Sequence, residues 1–96
     1  MEQETILKKV AEIMKRHLDE EYRVYLFGSW AKGDSLPTSD IDIGILGVGR
    51  VPWETMTAIK GEIEAIPTLR SIDVVDLQAA GASFRENVLA DAKPIV

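Results

Sequence analysis

The stretch GSWAKGDSLPTSDIDIGI, residues 28–45, carries a Gly-Ser pair, ten intervening residues and then Asp40-Ile41-Asp42 at the head of an apolar run. In a strand over residues 40–46, successive side chains alternate across the sheet, so Asp40 and Asp42 share one face and Ile41 and Ile43 the other. Two carboxylates at neighbouring same-face positions repel each other, and a divalent cation between them removes that repulsion. Hard oxygen ligands of this kind suit Mg²⁺ together with the phosphates of a substrate. Asp42 needs a partner in its own right, because a charge within an apolar run is costly and no basic residue nearby in sequence supplies one.

The upstream half offers what such a metal requires. Residues 23–27 read as a short strand, and Gly28 lets the chain turn sharply where a side chain would obstruct a ligand. Ser29 can cap a short helix through Ala31, whose unpaired N–H groups and positive dipole end suit phosphate oxygens. Gly33, Asp34, Ser35 and Pro37 bring the chain round into the second strand. Each of these residues also has a plainer reading. Gly28 and Ser29 alone make a turn and a cap; Lys32 either meets a phosphate as a point charge or faces water; Ser39 either bonds phosphate or begins the strand; Trp30 either stacks on a base or makes an apolar contact.

The Gly-Ser pair, the ten-residue gap and Asp-x-Asp, with Ala31, Gly33 and Ser39 between them, resemble the DNA polymerase β-like nucleotidyltransferase superfamily. More narrowly, the chain resembles the minimal nucleotidyltransferases, which lack the extra domains of larger members. The resemblance implies that Gly28 and Ser29 hold a triphosphate, that Asp40 and Asp42 hold two Mg²⁺ ions, and that a third carboxylate comes from a later strand. It also implies ATP as co-substrate. Minimal members often resemble antitoxins that accompany a helical toxin of the HEPN class, some modifying a tyrosine on it with AMP.

At 96 residues the chain is expected to form one small domain, residues 1–96, too short for separate catalytic and recognition domains. A hydrophobic share of 46% supports a core. With no cysteine, disulfides and thiolate metal sites are excluded. Residues 1–5 carry acids rather than a basic segment followed by an apolar one, and no apolar run reaches membrane-spanning length, so a cytoplasmic protein is expected, with no membrane partner. The net charge of −5 shows no basic stripe and disfavours extended nucleic acid as a partner.

In chain order, residues 2–20 read as an amphipathic helix with Ile6, Val10, Ile13, Met14 and Leu18 on one stripe. His17, the one histidine, reads as a surface cation near its end rather than a catalytic group. Residues 53–66 repeat the pattern with Met56, Ile59, Ile63 and Ile66, Pro52 taking the first helical position and Pro67 the stop. Residues 71–77 form a third strand with Ile72 and Val74 on one face and Asp73 on the other. Ser83 and Glu86 read as a capping box ahead of a short helix with Phe84, Val88 and Leu89 inward. Lys93-Pro94 ends that helix, leaving Ile95 and Val96 as a tail or small edge strand. The expectation is an α/β fold, a small mixed sheet of three or four strands backed by helices.

Asp73 matches the third carboxylate of the resembled family. A strand neighbouring the second brings it beside the metals, to help hold one ion and accept the proton of an attacking hydroxyl. Asp76 falls on the opposite face. The resulting function is Mg²⁺-dependent transfer of AMP from ATP to an acceptor hydroxyl, a tyrosine of a HEPN-type toxin being the acceptor that the resemblance implies. Two alternatives stand beside it: a non-catalytic antitoxin that neutralises its partner by binding, and transfer to a small molecule, for which a homodimer would have to build the pocket.

Overall fold

The computed structural model describes residues 3–28 and 40–95. In order along the chain it contains α1 (Gln3–His17), β1 (Arg23–Phe27), β2 (Ile41–Leu46), α2 (Trp53–Glu64), β3 (Ile72–Asp76), α3 (Ala82–Asp91) and β4 (Lys93–Pro94). The strands form one mixed sheet in the order β3-β2-β1-β4. β1 runs antiparallel to both β2 and β4, whereas β2 and β3 are parallel and joined by the α2 crossover.

The two apolar periodicities meet on one face of the sheet. Ile6, Val10, Ile13 and Met14 of α1 and Ile59 and Ile63 of α2, with Ile66 just beyond it, pack against Val24 and Leu26 of β1, Ile41, Ile43 and Ile45 of β2 and Val74 of β3. Burial of side chains this size contributes about 1.5–3 kcal/mol each and is the main term holding the helices to the sheet. Every second residue of β2 enters that core, and so Asp42 is committed to the other face. That second face has a smaller cover. Leu77 is fully buried over Gly44, where an added Cβ would come within 2.7 Å of Leu77 Cδ1. α3 packs against β1, with Phe84 edge-on to Phe27 at a ring separation of 6.3 Å.

Several local readings need correction. α1 stops at His17 because the Asp19 side chain accepts the Glu21 N–H at 2.9 Å and its carbonyl accepts the Tyr22 N–H, turning the chain before a further helical turn can form. Pro52 is the residue before α2 rather than its first; its ψ of 142° is extended, and its carbonyl accepts the Met56 N–H. The capping box does not form. Gly81 precedes α3 without any side-chain cap, so Ser83 already lies inside the first turn, and Phe84 stays 45% exposed although it touches Phe27. The edge strand is Lys93–Pro94, two residues earlier than expected; Ile95 donates its N–H to Val24 and packs on the core. His17 is half-buried, its Nε2 donating to Glu62, which Arg16 also grips, so that the end of α1 is tied to α2. Among the described residues, no helix is long and apolar enough to cross a membrane.

Candidate active site

The end of β1 and the beginnings of β2 and β3 lie at the same edge of the sheet. Strand register places Phe27 opposite Asp42 and Asp42 opposite Asp73, giving a row across three strands. Directly paired residues project to the same face, with Cβ atoms roughly 5 Å apart, so the Asp42 and Asp73 carboxylates stand together on the face that α1 and α2 leave open. Asp40 precedes β2 and is exposed. Asp42 is half-buried, and its carboxyl is raised above the usual aspartate range, first by burial, then by the negative charges of Asp73 and of Asp40.

Gly28 closes over this group. Its φ of +77° lies in the left-handed region, and an added Cβ would fall 2.4 Å from Asp42 Oδ2. The chain therefore reverses with its backbone laid against the carboxylate, a position that only glycine fills without strain. The turn was legible in the sequence; the reason for its closeness was not, since it depends on the β1–β2 register.

Asp76 plays a different part. Its carboxylate accepts the N–H groups of Val51 at 2.8 Å, Gln78 at 3.0 Å and Ala79 at 3.4 Å, and so fastens the loop before α2 to the turn after β3. Sequence reading set Asp76 aside by face alone and missed this anchoring role; its position two residues before Gln78, typical of an Asx turn, was the available signal. Ser29, Trp30, Lys32 and Ser39, and the short helix expected after Ser29, lie outside the described residues.

Among the described residues, no three His, Cys, Asp or Glu side chains close into a ready-made metal cage. Asp42 and Asp73 instead form an open set of hard oxygen donors with an unrelieved repulsion. That chemistry fits Mg²⁺, which keeps several waters and substrate phosphate oxygens around it rather than demanding a full set of protein ligands.

A mixed sheet that presents abutting aspartates on neighbouring strands, beside a glycine turn laid against one of them, is the arrangement of a nucleotidyltransferase domain. The chain belongs to the polymerase β nucleotidyltransferase family, matching "Polymerase beta, Nucleotidyltransferase" over residues 8–96. It is similar to the protein adenylyltransferase MntA of Shewanella oneidensis, at 24% identity over 91 residues; the match covers 91% of this chain and 62% of the relative's length. Its fold resembles the solved structure of a toxin–antitoxin with AMP-PNP, at a TM-score of 0.70 and 23% identity over 94% of this chain and 72% of that one. It also resembles that of a tri-AMPylated Shewanella oneidensis HEPN toxin in complex with MNT antitoxin, at 0.66 and 21% over 99% and 72%.

Proposed function

We propose that this protein transfers AMP from ATP to a hydroxyl of a protein partner, a tyrosine of a HEPN-type toxin, and thereby acts as the antitoxin of a toxin–antitoxin pair in the cytoplasm. The observation that carries the reading is the Gly28–Asp42–Asp73 arrangement at one edge of the sheet. The adenylyltransferase relative and the AMPylated complex supply its direction, toward adenylate and a protein acceptor.

Asp40, Asp42 and Asp73 would hold two Mg²⁺ ions, which when bound neutralise the triphosphate and lower the pKa of the attacking hydroxyl. Gly28, with no side chain, lets the β and γ phosphates approach the backbone beside Asp42, where Ser29, Lys32 and Ser39 are the candidate side-chain contacts. Asp73, on the outer strand, accepts the proton of the acceptor hydroxyl. The hydroxyl oxygen bonds to the α-phosphorus as the bond from that phosphorus to the bridging oxygen breaks, and pyrophosphate leaves with the electron pair.

The test is incubation with α-labelled ATP, Mg²⁺ and the proteins that copurify from the native host, with Asp42→Asn as control. Label on a partner protein only when Asp42 is intact is the expected result. If Asp40→Ala and Asp42→Ala chains still suppress the partner's toxicity, neutralisation is by binding and the catalytic reading falls.

A further inference from the structure

The acidic row, with the Mg²⁺ it would hold, accounts for the phosphates but offers nothing to a nucleobase, which needs a flat apolar surface within reach of the same edge. Four large apolar side chains stand exposed among the described residues: Val48, Trp53, Leu69 and Phe84. Val48 and Trp53 follow the far end of β2, and Asp42 to Leu46 alone spans roughly 13 Å of strand. Leu69 has no planar face. Phe84 differs from all three, since its ring packs edge-on, at 87° between planes, against Phe27, and Phe27 is the direct cross-strand neighbour of Asp42. The contact uses part of the ring and leaves Phe84 45% exposed beside the end of β1.

Granted nucleotidyl transfer at the aspartates, we infer that the exposed surface of Phe84 is the stacking platform for the base of the incoming nucleotide. The Phe27 contact fixes the ring, so little side-chain freedom is lost when a base settles on it. Aromatic stacking tolerates any base, which makes Phe84 a general anchor that favours the larger face of a purine. The phosphates would be read at Gly28 and the aspartates, and the base at the first turn of α3.

The test compares two probes in the presence of Mg²⁺, the non-hydrolysable analogue AMP-PNP and inorganic tripolyphosphate, each titrated calorimetrically against the wild-type chain, Phe84→Leu and Phe84→Tyr. Leucine keeps apolar cover over Phe27 and removes the flat ring; tyrosine keeps the ring. The expected result is about tenfold weaker AMP-PNP binding by Phe84→Leu, unchanged tripolyphosphate binding, and wild-type affinity for both probes in Phe84→Tyr. Equal weakening of both probes, or of neither, overturns the stacking role while leaving nucleotidyl transfer intact. So does a Phe84→Leu chain that keeps its nucleotide affinity and loses only its partner protein. A wild-type chain that binds neither probe removes the nucleotidyl-transfer reading itself, and the base site with it.

Discussion

Gly28 and Asp42 are in such close approach that a single methyl group on the glycine would sit 2.4 Å from the aspartate's Oδ2. The backbone turn and the carboxylate thus occupy adjoining space. Gly28→Ala meets two penalties, the left-handed φ of +77° and this collision. The first alone costs about 1–2 kcal/mol. The variant is expected to melt several degrees lower and to lose at least tenfold in nucleotide transfer, since relief of the clash displaces Asp42. A melting curve and a transfer assay on the same preparation check both.

Asp42 is a stability liability whose sign can be worked out. Its folded pKa is raised above the ordinary 3.8, so between these two values the native chain binds more protons than the unfolded one. Stability without metal therefore falls as pH rises through that window and stays reduced above it. Asp42→Asn removes the charge and should melt higher than the wild type at neutral pH, with the difference vanishing in acid below 3.8, while transfer activity disappears. Thermal melts at a series of pH values in a chelating buffer measure it.

The two aspartates of β3 should behave in opposite ways. Asp73→Ala takes away an exposed carboxylate and is expected to leave the melting temperature within a degree or two while abolishing transfer. Asp76→Ala strands the N–H groups of Val51, Gln78 and Ala79, and should cost about 1–3 kcal/mol in stability. Under conditions where the variant is folded, Asp76→Ala should retain AMP-PNP binding. Denaturant titration and calorimetry separate the two outcomes.

Gly44 and Leu77 are fitted to each other. Gly44→Ala drives a methyl group to within 2.7 Å of a fully buried leucine and is expected to cost about 1–3 kcal/mol. Leu77→Ala alone leaves a cavity, but in the double variant the new methyl group partly fills it. The pair should therefore be less destabilised than the sum of the single changes, by at least 0.5 kcal/mol or so in a double-mutant cycle.

Glu62 carries the opposite linkage to Asp42. The hydrogen bond from His17 chiefly, with the charge of Arg16, lowers its pKa below 4.5. The stability it contributes is present above 4.5 and lost as pH falls through the folded value. Glu62→Gln is expected to lower the melting temperature slightly at neutral pH and to match the wild type in strong acid, because the group is at the surface and solvent screens it.

The alternation of Ile41, Ile43 and Ile45 with Asp42 is legible in the sequence because a period of two leaves the aspartate no other face. The stripes of α1 and α2 are legible for the same reason at a longer period. Ser83 misleads because Ser-x-x-Glu is a local pattern, while α3 already begins at Ala82, where the Gly81 carbonyl accepts the Arg85 N–H. Strand order and the Asp42–Asp73 register are invisible to any window of sequence; they arise only when the α2 crossover brings a distant segment alongside β2.

That crossover also sets a clock during synthesis. A nascent chain halted before Ile72 holds both strands of the β1–β2 hairpin and the glycine turn but has no β3, and so lacks Asp73 altogether. The acidic row is completed late, by a non-local pairing of the slower-forming kind. An interrupted translation product therefore carries the recognisable Gly-Ser and Asp-x-Asp signature without the third carboxylate, and under the proposed role of Asp73 is expected to lack transfer.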